Sequence, residues 1–167
     1  MLVTVSGYRS HSKRLVKLME DASEFFASKM MRKDLVENID LEIIIAKDLA
    51  KKEGVQGSLF GYCTILDDRL SRPREFQIEI CASKRITKML LTLAHEITHL
   101  KQFARKQLRN YQNGSTTWCG KSWSSKREKK IGHWKLPWED EAYEKELELF
   151  MELVNTTDIL DDYIDKR

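Results

Sequence analysis

Long apolar runs are missing from this sequence: nowhere do about 18 consecutive apolar residues occur, the least that a membrane-spanning helix needs. Cysteine is sparse. Cys63, Cys81 and Cys119 are odd in number, widely separated and without a C-x-x-C pair. That pattern excludes a disulfide framework and a cysteine-only zinc site, and it fits reduced thiols in a cytoplasmic compartment. Met1 to Ser12 carries Val3 and Val5 but neither an apolar stretch of about seven residues nor a small-residue cleavage site, so export is not expected. Proline occurs twice, at Pro73 and Pro137, and each falls where a boundary between elements is expected.

What remains is a 167-residue chain, 41% apolar and 33% charged, of the length and composition of one globular domain. The net charge of +3 is unevenly spread. Lysine and arginine dominate from Lys84 to Lys135, and acids dominate from Glu139 to Asp165. A basic middle can meet nucleic acid or an acidic partner, although a solvated face is its commoner meaning.

Residues 13 to 31 repeat Leu15, Leu18, Met19, Ala22, Phe25, Phe26 and Met30 at helical spacing, behind a candidate N-cap at Ser12. Ile39 to Ile45 is β-branched and short, as a buried strand is. Lys47 to Ser58 reads as a mobile connection, Leu59 to Leu66 as a second strand, and Glu75 to Ala82, alternating Phe76, Ile78 and Ile80, as a third. A long helix follows from about Lys84 to Leu108, with Ser83 as its cap. Ser115 to Lys135 has no sustained period, with a tight turn at Cys119-Gly120 between Thr117-Trp118 and Lys121-Ser122-Trp123. Its Lys126, Arg127, Lys129 and Lys130, interleaved with Trp118, Trp123 and Trp134, can stack on single-stranded nucleic acid. The same tryptophans can instead anchor the excursion to the domain, which is the expectation here. Pro137 opens a last helix up to about Val154, and Thr156 to Arg167 reads as a loosely ordered or partner-contacting acidic tail.

Chemistry concentrates in Leu93-Ala94-His95-Glu96-Ile97-Thr98-His99-Leu100. On a helix the imidazoles of His95 and His99 lie one above the other and can share one ion, and Glu96 then lies beside it, where a carboxylate can take a proton from water. At 3.6 residues per turn, Ile86, Leu93, Ile97, Leu100 and Ala104 fall roughly opposite His95, whereas Lys88, Thr92, His99 and Phe103 lie within about 80° of it. A histidine serving only the core would sit within the apolar stripe instead. A catalytic zinc site has three protein ligands, and His133, Glu139, Glu141 and Glu144 are the downstream candidates for the third.

The block Leu93 to Gln102, followed by Pro137-Trp138-Glu139-Asp140-Glu141-Ala142-Tyr143, resembles the small zincin-type metallopeptidases encoded by bacteriophages, over roughly residues 76 to 150. Position by position, the resemblance implies His95, His99 and Glu141 as zinc ligands, by likeness of Glu141 to the third ligand of gluzincin-like domains, and Glu96 as the general base. It also implies a phage-like origin and hence a host cytoplasm. No third histidine completes H-E-x-x-H-x-x-G-x-x-H, so the metzincin arrangement is excluded by position. SprT-like domains place a histidine after the motif, and His133 is the residue available for that part.

The expected architecture is an α+β, zincin-like domain over residues 1 to 155, with 156 to 167 as a tail. A three- or four-stranded sheet would pack on the active-site helix, with an N-terminal helix, and a C-terminal helix closing the metal cleft. The expected function is hydrolysis of a peptide or protein by a Zn2+-activated water, with Tyr143 or His133 donating to the oxyanion and an extended substrate pairing with strand Leu59–Leu66, or failing that with Glu75–Ala82. The rivals are a nucleic-acid-associated zinc protein using residues 121 to 135, and a metal-bearing assembly protein without turnover.

Overall fold

A computed structural model describes residues 1–9, 12–54, 57–67, 71–82 and 85–164. The N-terminal segment, too short in apolar run to announce itself, is a strand, β1 (Leu2–Gly7). It is followed by helix α1 (Lys13–Met30), whose first turn is capped by the Ser12 hydroxyl accepting from the Leu15 amide. A short α2 (Lys33–Glu37) leads into β2 (Asp40–Ala46). The connection expected to be mobile, Lys47 to Ser58, contains one more helix, α3 (Leu49–Glu53), started by the Asp48 carboxylate accepting from the Lys51 amide at 3.1 Å. Strands β3 (Gly61–Ile65) and β4 (Glu75–Cys81) then complete a four-stranded mixed sheet in the order β1-β2-β4-β3. β1, β2 and β4 run parallel, and β3 runs antiparallel along β4 at the edge.

Alternation decides which face of this sheet is covered. Leu41, Ile43 and Ile45 of β2 and Phe76, Ile78 and Ile80 of β4 project to one side and are buried. Each contributes about 2 kcal/mol of apolar burial. Against them lie α1 and the long helix α4 (Ile86–Ala104), whose Met89, Leu90, Leu93, Ile97 and Leu100 belong to the same core. The expected cap Ser83 lies outside the described residues. α4 stops earlier than its apolar pattern suggests: Lys106 takes φ +60°, and the chain turns into β5 (Leu108–Asn110).

β5 starts a second, three-stranded antiparallel sheet with β6 (Thr116–Trp118) and β7 (Lys121–Trp123). The expected turn at Cys119-Gly120 is present, with φ +46° and +80°, as a two-residue hairpin of the primed type requires. After it come α5 (Ser125–Ile131), a single 3-10 turn at His133–Lys135, and α6 (Pro137–Thr156), with Pro137 in its first turn. The acidic tail is not loose throughout: α7 (Ile159–Ile164) packs Ile159, Leu160 and Tyr163 on the core. The architecture is α+β, and α4 lies between the mixed sheet and α6.

Candidate metal centre

Two elements build the centre. α4 sets His95 and His99 one turn apart with their Nε2 atoms 3.2 Å from each other. The first turn of α6 brings Oε2 of Glu139 to 3.4 Å from each of those nitrogens. Three donor atoms thus form a nearly equilateral triangle, and they are the residues among those described that group closely enough to hold one cation. Zinc bonds of about 2.0–2.1 Å in tetrahedral array set ligand atoms about 3.3 Å apart, so the triangle has the size that such an ion requires.

The hydrogen bonds behind the triangle decide what its atoms can offer. Nδ1 of His95 lies 3.0 Å from Oε2 of Glu146, and Nδ1 of His99 lies 2.8 Å from Oε1 of Gln102. The Gln102 amide nitrogen donates to the Trp138 carbonyl and to Oε2 of Glu141, both at 2.9 Å, so its oxygen must face the histidine. Both imidazoles therefore carry a hydrogen on Nδ1 and turn Nε2 toward Glu139. Oε2 of Glu139 is buried and has no hydrogen-bond partner, a state that costs roughly 1–3 kcal/mol or more unless a proton or a cation is shared there.

Charge follows geometry. Burial works against the charged form of His95, but Glu139, Glu146 and Glu96 outweigh it and raise its pKa to about 9; His99 is raised for the same reasons, with burial opposed by Glu139 and Glu96. Burial would raise Glu139, yet the two histidines hold it at about 2. Glu96 is pushed up to about 7 by burial, against the pull of His99 and His95. The Tyr143 ring centroid lies 4.7 Å from that of His95, and burial, then Glu139 and Glu146, push its hydroxyl up to about 12, which keeps it a donor.

Of the residues singled out from sequence, His95, Glu96 and His99 meet in one place. Glu141, expected as the third ligand by resemblance, does not: its Oε1 lies 2.6 Å from Nζ of the buried Lys101, and its Oε2 accepts from Gln102. Helical phase explains the correction. Glu139, Tyr143 and Glu146 recur at i, i+4 and i+7 on one face of α6, whereas Glu141 is turned roughly 200° from Glu139 and belongs with Lys145. Glu144 is exposed. His133 is 63% exposed, with Nε2 3.5 Å from Oε2 of Glu139, and does not join the converging group. Sequence reading gave no role to Glu146, Lys101 or Gln102. The sevenfold spacing from Glu139 to Glu146 was the available signal for the first.

The centre opens into a cleft of roughly 830 Å³ between edge strand β3, α4, the second sheet and the start of α6. Gly61 brings β3 against α4: a β-carbon there would stand 2.7 Å from the Thr92 methyl and 3.0 Å from Oε1 of Glu96. Trp118 and Trp123 are spent on Trp138, with centroids 6.3 and 5.5 Å away, so they anchor the excursion as expected; Trp134 is exposed at the cleft rim.

The chain matches no family model, no curated protein and no solved structure.

Proposed function

We propose that this chain is a zinc-dependent peptidase of the zincin type, in which His95, His99 and Glu139 hold the ion and Glu96 is the general base. The observation that carries the reading is the triangle of two Nε2 atoms and one orphaned carboxylate oxygen with Glu96 beside it, at the floor of a cleft flanked by a strand edge. Imidazole and carboxylate donors suit zinc, which supplies Lewis acidity to a water and to a carbonyl oxygen when three protein ligands hold it.

The side chains have separable tasks. Glu96 accepts a proton from the attacking water and returns it to the departing amine. Glu146 and Gln102 fix the tilt and tautomer of His95 and His99 through the Nδ1 hydrogens. Tyr143, whose ring packs on His95, and His133, with Nε2 3.5 Å from Oε2 of Glu139, are the candidate donors to a developing oxyanion. The outer edge of β3, which no strand covers in the described sheet, offers amides and carbonyls to an extended peptide.

The test compares wild type with Glu96→Gln on an unstructured protein substrate. The variant keeps its zinc and loses hydrolysis by about 10²–10⁴-fold. Equal turnover in both, or zinc lost with the amide, contradicts the reading. The nucleic-acid alternative draws no support from Trp118 and Trp123, since both pack on Trp138 and the Arg127 guanidinium already lies 3.9 Å over the Trp123 ring.

A further inference from the structure

The cleft has a direction. Phe60 lies under Nζ of Lys88 at 3.4 Å, and the next residue, Gly61, faces Thr92 and Glu96. Beyond the other end of β3, the Leu66 amide donates to Glu75, beside Arg74, whose guanidinium reaches the carbonyl of Ala104 at the end of α4. β3 and α4 therefore run the same way, with Lys88 at their start. The second sheet begins just past their end, and Gly114 in its first turn lies against Ser125, the first residue of α5. Glu128 lines the cleft from α5, which follows directly on this second sheet, and so belongs to the side of the sheet and not to that of Lys88.

The two ends differ in charge. Lys88 is the one lysine or arginine among the described residues lining the cleft. Glu96, Glu139 and Glu146 are absorbed by the histidine centre, but Glu128 stands apart from it, and its Oε1 is buried with no hydrogen-bond partner. A buried carboxylate oxygen without a donor is costly unless something that enters the cleft supplies one.

Resting on the peptidase reading, we propose that the cleft takes a peptide in one orientation, with a basic residue N-terminal to the scissile bond against Glu128 and an acidic residue C-terminal to it against Lys88. A strand added antiparallel to β3 has this direction, with its N-terminal part beside the end of α4 and its C-terminal part beside Phe60 and Lys88. Lys88 precedes His95 by seven residues, roughly 10 Å of helix, which an extended peptide covers in about three residues. The acidic residue is therefore expected about three positions downstream of the cleaved bond.

The test uses the zinc-loaded full chain and two peptides of one composition, one with lysine upstream and glutamate downstream of a central bond, the other with the two exchanged. Wild type is expected to prefer the first by about tenfold in kcat/KM, and the double variant Lys88→Glu with Glu128→Lys to prefer the second. Binding of both peptides to Glu96→Gln is measured in parallel and should show the same order. Cleavage of both at equal rates overturns the inference and leaves the peptidase reading standing. Polarity-dependent binding with no cleavage by wild type removes the peptidase reading and keeps only the orientation of the bound peptide between Glu128 and Lys88, and equal binding without cleavage removes both.

Discussion

Gln102 holds its amide oxygen 2.8 Å from Nδ1 of His99, one turn back on the same helix, and cannot rotate away because its nitrogen is bound on the other side by Glu141 and the Trp138 carbonyl. Gln102 thus fixes the tautomer of His99, and Glu141, expected by resemblance as a ligand, helps to hold Gln102 in place.

Gln102→Leu leaves the Nδ1 hydrogen of His99 without an acceptor. Zinc affinity is expected to fall by 10–100-fold, with Gln102→Glu closer to wild type, since a carboxylate still accepts. Chelator competition with a fluorescent zinc indicator measures it, and an unchanged affinity in Gln102→Leu contradicts the role assigned here.

Gly61→Val forces a branched side chain toward the Thr92 methyl, the Glu79 carbonyl and Oε1 of Glu96, all within 3.0 Å of the first added carbon. The strand edge must retreat from α4, with an expected destabilisation of about 1–3 kcal/mol and a larger loss of hydrolysis than of zinc binding. Thermal unfolding and metal content of one preparation distinguish the two effects.

Proton release is the expected accompaniment of zinc uptake under the proposed function. His95 titrates near 9, so it is charged at pH 7, and zinc must expel that proton; apparent affinity therefore rises with pH up to about 9. Calorimetry at pH 7 in buffers of different ionisation enthalpy should show net release. In chelator-treated protein the sign for stability is opposite for His95 and the same for Glu139. The raised His95 stabilises fully below 6.5 and ceases to above about 9, while the lowered Glu139 stabilises above 4.5 and ceases to below about 2.

Much of this fold was legible where periodicity is strong. α1, β2, β4 and α4 follow from the repeated spacing of Leu18, Ile43, Ile78 and Leu93, because each buries one face against the same core. β1 was not legible: its edge position leaves Leu2 exposed and only Val3 and Val5 half-buried, so burial leaves a weak imprint. α2, α3 and α5 span one or two turns each, too short for a period to emerge. At the candidate centre the closeness of His95 and His99 follows from helical geometry alone. Which acid joins them does not, because Glu139 and Glu141 share one helix start and only the docking angle of α6 on α4 selects between them.

The most direct measurement is zinc content after purification of Glu139→Ala and Glu141→Ala beside wild type. The account predicts that wild type and Glu141→Ala each retain a single ion, the latter with some loss of stability from the unpaired Lys101, and that Glu139→Ala retains little or none. Zinc kept by Glu139→Ala and lost from Glu141→Ala, or never taken up by wild type, would contradict it.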